Sequence, residues 1–130
     1  MKKTVLFFCL LFSLSFASFS NDQPRVFELR IYYTYDGRLD ALLNRFRNNT
    51  MRIFVKHGMA NIAYWIPKDK PNTLYYIMAY PSMEARDKAW KEFGEDPEWK
   101  EVARASEESG KIVSKVESVF LNATDFSPIQ

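Results

Sequence analysis

"TLYYIMAY", Thr73–Tyr80, is a run of apolar and aromatic residues that predicts a β-strand. Alternate residues of a strand point to opposite faces of its sheet. One face would carry Leu74, Tyr76, Met78 and Tyr80, and the other would carry Tyr75, Ile77 and Ala79. Both faces are apolar, whereas an antiparallel sheet covered by helices on one side alternates apolar and polar residues. The pattern therefore predicts a second covering layer, which we expect to be another copy of the chain.

Before this strand, the sequence predicts its hairpin partner, a long helix and a first strand. "NIAYWIP" (61–67) predicts the partner strand, and "KDKPN" (68–72) the turn. A helix of about 20 residues is expected earlier, capped by Asp36 and closed by Gly58 in the left-handed conformation. "RVFELRIYYTY" (25–35) predicts the first strand. The helix has an apolar stripe of Leu39, Leu42, Leu43, Phe46, Thr50, Ile53, Phe54 and His57.

After Tyr80, the sequence predicts two short helical pieces and a last strand. Pro81 and Ser82 start the first piece, and Asp96 caps the second with Pro97 at its first helical position. "KVESVFL" (115–121) predicts the last strand. The order β-α-β-β-α-β predicts an α+β, ferredoxin-like protomer with a four-stranded antiparallel sheet. We expect two such protomers to form a homodimer with their sheets face to face.

The first 20 residues have the layout of a secretory signal peptide. Lys2 and Lys3 precede an apolar run, and small residues follow it. The run is too short for a membrane span of about 20 residues, so no stable membrane insertion of the mature chain is expected. Residues 21–130 would then form a single periplasmic or secreted domain. Without Lys2 and Lys3, the 18 basic residues become 16, equal to the 16 acidic residues. This balance argues against a nucleic-acid partner.

Specific residues along the chain resemble the NIPSNAP family of the dimeric α/β-barrel superfamily. They are "VFELRIYYTYDGRLDALLNRF" from Val26, "HG", a strand ending in "WIP", and "AY" before a helix with "AW..F..DPEW". The similarity runs from about Val26 to Phe120. It implies a ferredoxin-like protomer and a dimer closed through its sheets. It implies little about chemistry, because the family has no settled enzymatic activity.

His57, the single histidine of the chain, is the candidate catalytic residue. One interpretation is that it only ends the long helix, where a cation is stabilised by about 0.3–1 kcal/mol. In the other, its place on the apolar stripe turns the ring toward a cleft between helix and sheet. Relatives in the superfamily imply a cofactor-free monooxygenase or a haem-handling oxygenase there, since a neutral imidazole can act as a base or bind iron.

Two further sets of residues are candidates for a site. An aromatic-lined cleft suits a flat apolar ligand, and its expected lining is His57, Tyr33, Trp65, Tyr76 and Trp90. If Glu28, Arg30 and Glu117 face the dimer partner, we expect them to form ion pairs across the interface. No metal site is expected from one histidine and one cysteine, the latter in the leader.

These observations favour an exported, NIPSNAP-like homodimer that binds a small apolar or aromatic ligand in the helix–sheet cleft. No cofactor is expected for that function, and haem only for the alternative, an oxygenase that uses His57. A module with a purely structural role in protein–protein interaction is a third hypothesis, and it would have a closed core without a cleft.

Overall fold

The computed structural model describes residues 25–130, so the expected signal peptide lies outside the described residues. The strands are β1 (Val26–Thr34), β2 (Ala60–Trp65), β3 (Thr73–Tyr80) and β4 (Val113–Asn122). The helices are α1 (Leu39–Arg45), α2 (Met51–Lys56), α3 (Met83–Glu95) and α4 (Pro97–Ser106). A π-helical turn, Phe46–Thr50, joins α1 to α2. The strands form one antiparallel sheet in the order β2-β3-β1-β4, which confirms the ferredoxin-like fold.

The core lies between the helices and one face of the sheet. Tyr76 of β3 is fully buried at its centre, and both the α1–α2 segment and α3 pack their apolar sides over it. Burial of each large apolar side chain stabilises the fold by roughly 1.5–3 kcal/mol. The buried cluster consists of Leu42, Phe46, Ile53, Phe54, Met59, Leu74, Tyr76, Met78, Tyr80, Ala89, Phe93 and Ile112.

The long helix differs from the expected uniform α-helix at its middle. The amide of Met51 donates to the carbonyl of Phe46, five residues back, which is the hydrogen bond of a π-helix. The Thr50 hydroxyl also donates to the carbonyl of Arg45 at 3.2 Å. Phe46 and Thr50 are both buried in this turn. The apolar stripe is therefore retained although the helical period changes.

The helix ends confirm the expected positions of Gly58, Asp96 and Pro97 and correct that of Asp36. Gly58 has a φ of 75°, in the left-handed region that suits glycine. Asp96 Oδ1 accepts from the amide of Glu98 at 2.8 Å, with Pro97 in the first helical position of α4. The prediction for Asp36 is wrong: α1 begins after Arg38, and Asp36 accepts a hydrogen bond from the Asn72 side chain instead.

Among the described residues, no helix covers the opposite surface of the sheet, which is largely apolar. We call it the open face, and its strand register places there Phe27, Leu29, Ile31, Tyr33, Ala63, Trp65, Thr73, Tyr75, Ile77, Ala79, Lys115, Glu117, Val119 and Leu121. Of these, Trp65 is 53% exposed, Val119 46% and Leu121 38%. Within residues 25–130, no helix is long and apolar enough to cross a membrane.

Candidate functional site

The structure does not bring the expected site residues together. Tyr76 and Trp90 lie between the sheet and the helices, whereas Tyr33 and Trp65 lie on the open face. His57 is the C-cap of α2, and its ring meets that of Phe93 edge-on with centroids 6.2 Å apart. The prediction of one cleft lined by all five is therefore wrong in its geometry. The prediction failed because side chains alternate between the two faces along a strand. Tyr33 and Trp65 point away from the side that carries Tyr76.

The space around Tyr76 is filled by other aromatic rings. Its ring stacks on Tyr64 with centroids 5.3 Å apart, and the rings of Phe46 and Tyr32 each meet it edge-on at 5.2 Å. Such ring pairs stabilise by about 0.5–1.5 kcal/mol beyond the burial of their area. Tyr76 therefore belongs to the packed core.

A buried carboxylate, Glu28, lies at the centre of the polar groups on the helix side of the sheet. Arg86 of α3 donates to both of its oxygens, from Nη2 to Oε1 at 2.7 Å and from Nε to Oε2 at 3.1 Å. Arg30 Nη1 donates at 2.6 Å, the Ser118 hydroxyl at 2.8 Å and the Tyr80 hydroxyl at 2.9 Å. The carboxylate is thus fully satisfied, which buried charges require.

Electrostatics keep Glu28 ionised in this environment. Burial alone would raise the pKa of Glu28, but the hydrogen bond from Arg86 and the charge of Arg30 lower it from 4.5 to about 2. Arg30 lies over the Trp90 ring, 4.1 Å from its centroid, and its Nε donates to the Tyr76 hydroxyl at 3.0 Å. The ion pair between Glu28 and Arg86 connects β1 to α3. Glu28 and Arg30 are each held in place by further hydrogen bonds.

The expected grouping of Glu28, Arg30 and Glu117 at the dimer-facing side is wrong in part. Glu28 and Arg30 form an ion pair, but they face the helices. Glu117 lies on the open face, where it accepts a hydrogen bond from the Tyr33 hydroxyl at 3.2 Å and pairs with Lys115. Arg86, the second partner of Glu28, was missed because nothing in an isolated helix sequence links it to a residue 58 positions away.

His57 is tied to the junction between α3 and α4. Its Nε2 lies 2.7 Å from Asp96 Oδ2, and its side chain is 13% exposed. The same oxygen accepts from Lys56 Nζ at 2.7 Å. The hydrogen bonds from Lys56 and then His57 hold the pKa of Asp96 well below its usual range. The contact with Asp96 occupies Nε2, so an oxygenase that uses His57 as base or ligand would have to use the other ring nitrogen, Nδ1.

A cavity of about 330 Å³ lies on the open face, under the C-terminal segment. Its walls are Phe27, Ile62, Ile77 and Leu121 from all four strands, with Ile129 above them. Asn122, Thr124 and Ser127 supply polar groups at its edge. Arg25 donates to the backbone oxygen of Gln130 and so ties the segment down. The lining is uncharged, which suits a neutral, mainly apolar molecule.

Comparison with known proteins gives a family but no activity. The NIPSNAP family matches residues 27–128. No curated protein matches the chain. A crystal structure of a NIPSNAP family protein of unknown function from Agrobacterium tumefaciens is 20% identical, with a TM-score of 0.73 over 84% of this chain and 96% of that one. An uncharacterized NIPSNAP-like domain protein from Burkholderia xenovorans is 20% identical, with a TM-score of 0.71 over 82% and 90%.

One neighbour of known activity has the same fold. SnoaB, a cofactor-independent oxygenase from Streptomyces nogalater, is 17% identical, with a TM-score of 0.58 over 81% of this chain and 98% of that one. At this identity the likeness extends to the fold alone.

Proposed function

The chain belongs to the NIPSNAP family, and from that premise and its sheet geometry we propose that it is an exported homodimer that binds a small apolar or aromatic molecule. Export rests on the sequence of the first 20 residues. The proposed binding site is the cavity on the open face, because the space between helices and sheet is filled by the rings around Tyr76.

The apolar character of the open face is the observation that carries this proposal. Trp65 and Val119 are about half exposed on the open face, where Leu29 and Ile77 lie in register with Val119. Continuous apolar surface of this kind marks an interaction site in a soluble protein. A second copy offers the same apolar surface, and a two-fold axis lets the two surfaces meet.

The cavity supports a ligand of limited size and no charge. Its volume of about 330 Å³ is near the lower end of the roughly 300–1,000 Å³ found for small-molecule sites. Apolar walls with a few polar groups at the edge match a molecule with one polar end, such as a phenol. A partner protomer on the open face would close the cavity further and exclude water from it.

A thermal shift with 2-naphthol, a flat neutral aromatic, tests the ligand site. We expect the melting temperature of the protein to rise with 2-naphthol concentration, because a ligand that binds only the folded state stabilises it. Ile62→Trp fills the cavity and should abolish that rise. Phe120→Trp is the matched control, since Phe120 lies on the other side of the sheet and outside the cavity, and it should keep the rise. An unchanged response in Ile62→Trp would remove the cavity from the proposal.

A further inference from the structure

A second cavity, of about 470 Å³, lies between α4 and the segment formed by α1 and the π-helical turn. Its apolar walls are Ala41, Val102 and Ala105. Its polar lining includes Arg45, Ser106 and three asparagines, Asn44, Asn48 and Asn49. We call this space the Arg45 groove. It shares no lining residue with the cavity on the open face.

Arg45 is a buried cation with incomplete compensation. Its side chain is 6% exposed, and Nη1 lies 3.3 Å from Ser106 Oγ and 3.6 Å from Glu107 Oε1. Nε is enclosed, and no acceptor among residues 25–130 pairs with it. Burial lowers the pKa of Arg45, and the nearby Glu107 offsets this only in part. Buried guanidinium groups are stable when their donors are paired, so this one would be stabilised by an additional acceptor.

The π-helical turn and α4 fix Arg45 at the groove. The Thr50 hydroxyl donates a hydrogen bond to the Arg45 carbonyl at 3.2 Å. The guanidinium of Arg45 lies over the Trp99 ring, 5.3 Å from its centroid. Turns of this type occur frequently at functional sites, because they displace a side chain from its ordinary helical position. The groove thus joins a fixed, buried positive group to an apolar surface.

The acidic residues nearby restrict the charge of a ligand. Glu101 lines the groove and forms an ion pair with Arg104 at 2.7 Å, and the hydrogen bond from Arg104 lowers the pKa of Glu101 so that it is ionised. Glu107 adds a second negative charge beside Arg45. Both carboxylates repel any anion, and they repel a dianion such as phosphate more strongly than a monocarboxylate.

We propose that the Arg45 groove binds a small amphipathic monocarboxylate. The carboxylate accepts hydrogen bonds from Arg45, with the Asn48 amide beside it. The hydrocarbon part lies on Ala41, Val102 and Ala105. The site is independent of the proposed ligand on the open face, which is neutral and lies against the sheet.

Isothermal titration calorimetry with octanoate tests the proposal, with 1-octanol as the uncharged control. We expect octanoate to bind at least about tenfold more tightly than octanol, because a hydrogen bond to a charged group contributes about 1.5–3 kcal/mol. Inorganic phosphate should not compete. In a two-dimensional NMR titration, the indole N–H signal of Trp99 should shift, since that ring contacts the guanidinium.

Three variants locate the site. Arg45→Gln should weaken octanoate at least about tenfold, and Ala105→Trp should do the same by filling the groove from an exposed helix position. Lys100→Gln, which removes a positive charge from the same helix outside the groove, should leave the affinity unchanged. If Arg45→Gln does not fold, Ala105→Trp alone decides. Absence of octanoate binding, equal binding of octanol, or loss of binding in Ile62→Trp rather than Ala105→Trp would overturn the proposal.

Discussion

At the residue scale, Glu28 shows how a charged residue can occupy the covered side of a sheet. Its five donors come from β1, β3, α3 and β4, so the carboxylate joins four elements. The sequence shows which residues of β1 share a face of the sheet, but it does not show which of the two faces packs against the helices. That choice depends on Arg86 and on the tyrosine hydroxyls, which become neighbours of Glu28 only in the fold.

Removal of the Glu28 charge is expected to destabilise the protein strongly. Glu28→Gln leaves Arg30 and Arg86 without their shared counter-charge and should lower the free energy of unfolding by about 3 kcal/mol. Urea denaturation at pH 7 measures this. The control is Glu117→Gln, which removes a partly exposed carboxylate of the open face and should change stability by less than about 1 kcal/mol.

Glu28 also makes the stability of the folded protein depend on pH. The folded state lowers the pKa of Glu28 from 4.5 to about 2, so the unfolded chain takes up the proton first as pH falls. The stabilisation is complete above pH 4.5 and is lost as pH falls toward 2. In Glu28→Gln, the decline in melting temperature across this range should be shallower than in the wild type.

At the element scale, the apolar stripe of residues 39–57 predicted the helix and its buried side, but not its π-helical turn. Apolar residues spaced three and four apart fit a regular α-helix. A single π-helical turn adds one residue to one helical turn, and this does not change the sequence spacing of the apolar residues. Residues four apart, such as Phe46 and Thr50, share a side in a regular α-helix as well, so their burial gives no signal for the π-helical turn in the sequence. The end of β4 shows the same limit, since pairing with β1 extends that strand beyond the predicted 115–121.

The hydroxyl of Thr50 is expected to stabilise this turn. Thr50→Val keeps the buried volume but removes the donor to the Arg45 carbonyl. Chemical denaturation should show a loss of about 1 kcal/mol, the usual contribution of such a hydrogen bond. Thr50→Ser restores the hydroxyl and should recover that hydrogen-bond contribution relative to Thr50→Val. Equal stability of Thr50→Val and the wild type would show that the turn does not depend on this bond.

At the scale of the whole molecule, the apolar character of both faces of β3 was the most informative sequence feature. It predicted a sheet with one face against helices, which the fold confirms, and a second layer, which stays a prediction. His57 and the aromatic residues were predicted to share a cleft because residue type alone does not reveal which side of the sheet each occupies. The structure places a packed core on one side and a cavity with apolar walls on the other.

Sedimentation velocity at micromolar concentration tests the open face as the dimer interface most directly. The wild type should sediment as a dimer, and Val119→Glu should sediment as a monomer because it places a charge in the apolar contact. Val116→Glu is the matched control, since Val116 is 42% exposed on the same strand but points to the other side of the sheet, and it should remain a dimer. A monomeric wild type, or a dimer that survives Val119→Glu and dissociates in Val116→Glu, would contradict this account.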